Sequence, residues 1–387
     1  MDYLSTILLY IFIFVSSTLF AFLSQRSFAP TSLNLRKGIR STINKRNTNL
    51  FFFFLSFIIP WFFISFTKIG VDYKSYYDIT EMLTWSTISK YSDLEVGFNF
   101  VLLTLKTITG NNYHVALFLL KTITIAIFYS CIFVLRDRLR LGYSVFGYLM
   151  LVYLPSFFLL SQCFASAIVL IAVTLYIKKK KILLPLIILL LATQIHNSCF
   201  LIIPCFLILS LISKHQKHSS LLILFSFFIY SFAIIFAKQI YSIAQNTIVG
   251  FHYNYYGSND WNGSGLLVFA MYIPLLGIYF FLKNNGEKGF LMNALLILIL
   301  TSLFFKILSY IFVVIERVEF LLSFTYLIII PIILFNAYKH KNRLANNLPA
   351  ISGFIFLYFA FRGFLVFSDF VLPRTGLASY AIYNPFY

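Results

Sequence analysis

Charge is what this chain has least of. Only 11% of its 387 residues are charged, and only 12 of those are acidic. An ordinary soluble domain is about a quarter charged. With 60% hydrophobic residues, a soluble fold of this size could not hide its apolar surface. Cysteine is scarce too. Cys131, Cys163, Cys199 and Cys205 lie in or beside apolar runs, without a CxxC pair or a Cys/His ligand cluster. They read as small buried hydrophobes and say nothing of redox compartment. There is no HExxH, no DxD, no P-loop and no GxGxxG, so no metal or nucleotide signature is present. No basic residue precedes the first apolar run, since Arg26 follows it. A secretory signal peptide carries its charge before that run, so Tyr3–Leu23 is expected to be a retained helix.

What is present is a succession of apolar runs near the roughly 20 residues that a helix needs to cross the hydrocarbon. They predict an all-α, polytopic transmembrane bundle of about 12 spans. The spans are 3–23, 49–67, 113–135, 142–160, 162–177, 182–196, 199–213, 219–239, 265–283, 290–312, 318–338 and 348–367. Pro155, Pro185 and Pro204 are expected kinks in the short ones. Residues 1–387 form one integral membrane domain in this reading.

The net charge of +18 is distributed as an orientation signal, not as a nucleic-acid surface. Alternate loops hold 20 of the 30 basic residues, accompanied only by Asp137 and Glu287; the other loops hold ten of the twelve acids. The positive-inside rule makes the basic set cytoplasmic. Both termini then lie outside, with 68–112, 240–264 and the tail 368–387. Glu95–Gly110 is amphipathic at helical period and too short to span, which suits an interfacial or re-entrant element. Asn262-Gly-Ser264 is a glycosylation sequon by pattern only.

The first outer loop gathers Asp72, Asp78, Glu81, Asp93 and Glu95 with Tyr73, Tyr76 and Tyr77. Carboxylates bond hydroxyls and rings stack on sugar faces, so the mixture suits carbohydrate. Tyrosines in a solvated interfacial loop give the same pattern without a ligand. Arg317, Arg362 and Arg374 approach the outer boundary from the late spans. A guanidinium grips phosphate oxygens with a bidentate fork. Local pairing of Arg317 with Glu316 or Glu319 is the alternative. Lys106, Lys121 and Lys306 also lie in apolar surroundings. His196 and Gln162 stand at outer turns and complete a polar face.

In their order and loop placement, these residues resemble the bacterial exopolysaccharide and O-antigen polymerases of the Wzy type, in the EpsG-like branch. The matching elements are Gly70-x-Asp72-Tyr73-x-x-Tyr76-Tyr77, Glu95-x-Gly97-Phe98, Ser161-Gln162-Cys163-Phe164-Ala165-x-Ala167 and His196-x-Ser198. Arg317 and the terminal Asn384-Pro385-Phe386-Tyr387 complete the set. Family members typically carry an arginine where Ser161 stands here, so the pyrophosphate would need another cation, such as Arg317 or Arg362.

The resemblance implies a GT-C-like polymerase at the outer face of the cytoplasmic membrane. It would join oligosaccharide repeat units carried on undecaprenyl pyrophosphate, beside a flippase and chain-length regulators. The lipid pyrophosphate is already activated, so neither cofactor nor metal is needed. Asp72 or Glu95 would be the base, and Arg317 with His196 would serve the leaving group. Tyr73, Tyr76, Tyr77, Gln162, Arg362 and Arg374 would contact substrate. A flippase for the same lipid would instead line a central cavity with charge. A membrane O-acyltransferase would place histidine near a cytoplasmic donor entry, where His215, His218 and His340 lie in basic loops.

Overall fold

The computed structural model describes residues 3–25, 39–69, 72–89, 94–236, 239, 266–284, 290–310, 315–339 and 348–371. Asp93, Asn262, Arg374, the 240–264 loop and the terminal Asn384–Tyr387 motif lie outside them. Among the described residues, eight helices are long and apolar enough to cross a membrane: Tyr3–Gln25, Tyr113–Val134, Leu160–Lys179, Asn197–Lys214, Gln216–Ile235, Phe290–Ser309, Glu316–Tyr338 and Leu348–Ser368. Shorter apolar helices at Asn49–Ser65, Leu141–Tyr153, Leu183–Ile195 and Phe269–Lys283 occupy the remaining spans drawn from the sequence.

In chain order, α1 is Tyr3–Gln25 and α2 is Ile39–Ser65. Two short helices, α3 (Tyr73–Met82) and α4 (Val96–Ile108), precede α5, Tyr113–Val134. Then come α6 (Leu141–Tyr148), α7 (Leu160–Lys179), α8 (Leu183–Ile195), α9 (Ile202–Lys214) and α10 (Ser219–Ile235). The set closes with α11 (Tyr272–Asn284), α12 (Phe290–Ser309), α13 (Glu316–Ser323), α14 (Tyr326–Lys339) and α15 (Leu348–Phe370). Asn112 starts α5 by accepting the amides of His114 and Val115, a side-chain cap that satisfies two otherwise orphaned donors.

Solvation explains the layering. On α1 the exposed positions Leu4, Leu8, Ile11, Phe12, Val15 and Leu19 form an outward apolar stripe. The inward face carries Thr6, Tyr10, Ile13, Ser17, Ala21 and Ser24. Lipid is as apolar as leucine, so close packing and interhelical hydrogen bonds drive helix association in the bilayer. Ser24 Oγ accordingly donates to the Asn49 carbonyl at 2.9 Å, and Tyr129 on α5 donates to the Ser56 carbonyl at 2.8 Å. The α13–α14 segment is almost wholly enclosed, with α7 beside it, while α10 is largely exposed at the edge.

The span expected at 142–160 is not one straight helix. After α6 the backbone passes through a π turn at Leu149–Tyr153 and a 3₁₀ turn at Pro155–Phe157. Pro155 has no amide to donate and so starts a new turn. Pro185 and Pro204 fall in the first turns of α8 and α9; there the missing donor costs nothing, and neither position needs a kink. The outer loop 68–112 holds α3 as well as the expected amphipathic helix, which forms as α4.

Candidate active site

Polar groups that the sequence separates by up to 245 positions meet at one end of this bundle. Asp72 precedes α3 and is half-buried, with no capping hydrogen bond from its side chain. Burial pushes its carboxyl above the ordinary carboxylate range, and the Arg317 guanidinium partly opposes the shift. Arg317 lies in the first turn of α13. Its backbone carbonyl accepts the Gln162 side-chain amide at 3.0 Å, which ties α13 to the start of α7. Next to Gln162, Ser161 Oγ stands 3.3 Å from the Tyr76 hydroxyl. Burial raises that phenol to about 12.

A second cluster adjoins the first. Glu95 ends the loop before α4 and lies 3.1 Å from His196 Nδ1, a close polar contact that falls short of hydrogen-bond alignment. Its Oε1 also accepts the Asn197 backbone amide at 2.9 Å. Burial alone would raise the Glu95 carboxyl. The contact and electrostatic pull of His196, together with the Asn197 amide, outweigh it and hold the carboxyl below its ordinary value. His196 is 5% exposed, and its Nε2 has no hydrogen-bond partner among the described residues. Tyr76 joins the two clusters, because its ring packs edge-on against Phe98 at 5.9 Å.

Gly97 makes the second cluster possible. A Cβ on Gly97 would stand 2.4 Å from the Gln194 carbonyl oxygen. Only a residue without a side chain lets α4 lie against the end of α8. The Glu95-x-Gly97-Phe98 element thus has a physical meaning: Glu95 for His196, Gly97 for the approach, Phe98 for Tyr76.

The tyrosines face inward. Tyr73 is buried under the Lys121 ammonium, 4.7 Å from its ring centre, and Tyr77 donates to the Tyr113 hydroxyl at 2.9 Å. The other late-span charges are engaged elsewhere. Arg362 pairs with Glu319 at 3.1 Å, deep in the bundle, where Tyr272 also donates to Glu319 at 3.3 Å. Glu316 pairs with Lys306 at 2.7 Å. Both acids weighed as local partners for Arg317 are therefore held by other cations. Lys106 donates to the carbonyls of Glu81 and Leu83, and Lys121 to that of Thr67.

The residue pattern alone did not reveal the Asn197 amide, which a 3₁₀ turn at Asn197–Leu201 presents to Glu95. Nor did it single out Ser161 as a partner of Tyr76. Lys121 was visible as a lone charge in an apolar run; its attachment to Thr67 and Tyr73 was not.

Fold and site together define a polytopic helical membrane protein with a polar, partly buried constellation at one end of its bundle. The chain belongs to the EpsG family, whose profile matches residues 50–380. It is thereby a membrane protein of the polysaccharide-polymerase type. No curated protein and no solved structure matches it significantly.

Proposed function

We propose that this protein is a glycosyltransferase that joins lipid-pyrophosphate-linked oligosaccharide units at the outer face of the cytoplasmic membrane. The observation that carries the reading is the pair of contacts Tyr76–Ser161 and Gln162–Arg317, which join α3, headed by the half-buried Asp72, through the start of α7 to the first turn of α13. Burial raises the Asp72 carboxyl and the Arg317 charge opposes the shift. In this reading undecaprenyl pyrophosphate is the carrier, and the polymer is a surface polysaccharide such as capsule or O-antigen.

An acceptor hydroxyl attacks the anomeric carbon of the donor. The new glycosidic C–O bond forms as the bond to the pyrophosphate oxygen breaks, and the leaving group keeps the electron pair. Asp72 takes the hydroxyl proton. A carboxyl with a raised pKa is a stronger base than an ordinary one, which is what general-base catalysis asks for. Arg317 meets the charge that develops on the leaving pyrophosphate. Glu95 is the weaker base of the two and is already committed to His196 and Asn197. Its role is to orient the imidazole, whose Nε2, unpartnered among the described residues, is the second contact for the pyrophosphate or the sugar. Gln162 fixes Arg317 through its backbone, and Tyr76 holds the two clusters in register. Holding both lipid-linked substrates against these groups supplies proximity.

The test is conversion of a synthetic lipid-pyrophosphate oligosaccharide by the purified protein in liposomes. Longer lipid-linked glycans and free lipid pyrophosphate are expected, and Asp72→Asn should abolish both. Movement of intact single units across the bilayer without elongation would replace the polymerase with a flippase.

A further inference from the structure

At the opposite end of the bundle lies a cavity of about 380 Å³ that the proposed chemistry does not use. Four segments frame it: Asp137 and Arg138 after α5, Ile177 and Lys180 at the end of α7, Phe290 and Leu291 opening α12, and Ile332, Phe335 and Asn336 on α14. Its distance from the Asp72 site follows from α7 alone. That helix starts beside Arg317 and has 20 residues, so it rises about 30 Å, the thickness of the hydrocarbon core. The cavity therefore sits at the other membrane interface.

Its lining is divided by polarity. Ile332 is buried, and the rings of Phe290 and Phe335 extend the apolar floor. The rim is basic. Lys180 is exposed, holds a left-handed backbone conformation (φ +56°) as the cap of α7, and places its ammonium 4.8 Å over the Phe290 ring. Arg138 uses one nitrogen to bond the Ile177 carbonyl at 3.1 Å. A guanidinium has five N–H donors, so most remain for a ligand. Arg136, Arg140, Lys178, Lys179 and Lys181 neighbour these rim residues in sequence, with Asp137 among them. Asp137 and Asn336 offer acceptors to a hydroxylated headgroup.

We propose that the cavity binds an anionic glycerophospholipid of the leaflet opposite the Asp72 site. Its phosphate meets Arg138 and Lys180, and the start of one acyl chain lies on the Phe290–Phe335 floor. Basic pockets between membrane helices are suited to such headgroups. The apolar floor selects an amphiphile over a free anion.

The experiment is native mass spectrometry of the full chain after delipidation and exchange into nanodiscs of phosphatidylglycerol or phosphatidylcholine. Phosphatidylglycerol should be retained and phosphatidylcholine lost. The double variant R138Q/K180Q should weaken retention by about thirtyfold, since each basic residue near the surface contributes about a factor of five. A matched pair away from the cavity, K214Q/K217Q, should change it less than threefold. Asn336→Trp fills the mouth without altering charge and should also abolish retention, which covers the case of a double variant that folds poorly. Equal losses in the two lysine- and arginine-depleted pairs would reduce the effect to bulk surface charge and overturn the proposal. Displacement of the lipid by millimolar inorganic phosphate would overturn the lipid and leave a plain anion site.

Discussion

The Gln162 side-chain amide donates to the Arg317 carbonyl at 3.0 Å, across 155 positions of sequence. Gln162 spends its donor on backbone and so holds the first turn of α13, from which the Arg317 charge acts on Asp72. Side-chain amides inside a bundle rarely go unused, because an unsatisfied polar group in hydrocarbon costs several kcal/mol. Here that requirement fixes the place of the cation.

The pH profile tests the Asp72–Arg317 relationship. Polymerisation should fall as pH drops through the Asp72 pKa, because the base must be ionised. Burial puts that limb above the ordinary carboxylate value of about 3.9. Arg317 favours the ionised form, so Arg317→Gln should move the residual activity's acid limb to higher pH, while Arg317→Lys should move it less. An unmoved limb in Arg317→Gln would separate the two groups.

Asp72→Asn should lower turnover by about a hundredfold or more. Its effect on stability has the opposite sign to that of a structural carboxylate. Because burial raises the pKa, the ionised group opposes folding at neutral pH, and the amide should unfold no earlier in a thermal melt. A large drop in melting temperature would make Asp72 a structural residue.

Glu95 predicts the contrary pattern. Glu95→Ala strips His196 Nδ1 and the Asn197 amide of their partner, which should cost about 1–3 kcal/mol. Glu95→Gln keeps an acceptor for the amide and should cost less. Denaturation monitored alongside activity separates the two. Catalysis lost at full stability in Glu95→Gln would make Glu95, not Asp72, the base.

Arg362 was read from the sequence as a substrate contact, and it is held by Glu319. Arg362→Ala should cost about 3–5 kcal/mol, because it leaves a buried carboxylate unpaired, while Glu319→Leu with Arg362→Met should recover most of that stability. If the recovered double variant polymerises normally, Arg362 has no part in binding substrate; if it stays inactive, the substrate role survives.

Much of this was legible in the chain. Apolar runs fixed the helices, because crossing hydrocarbon demands length and composition together. Glu95, Gly97 and Phe98 were singled out together, and each now has a contact that explains it. The partners of Glu316 and Glu319 were not legible. Within α13 the neighbouring Arg317 looked like the obvious mate, but residues one and two apart do not face each other on a helix. The true mates, Lys306 and Arg362, come from α12 and α15. Pro155 signalled a break between α6 and α7, but the π and 3₁₀ turns that make it were not legible, because an apolar run states that a segment is buried and not how its backbone is wound.

The Glu319–Arg362 pair also constrains the order in which the chain enters the membrane. Alone in lipid, a helix bearing an arginine carries a penalty that reaches about 2.5–3.5 kcal/mol at the helix centre. The Glu319-bearing segment, enclosed on nearly all sides, emerges from the ribosome first, and its carboxyl meets its cation only when α15 follows it. That favours release of the late helices from the insertion channel as a group. A chain cut short between residues 340 and 347 would leave Glu319 without its cation, even though every helix upstream of the cut is intact.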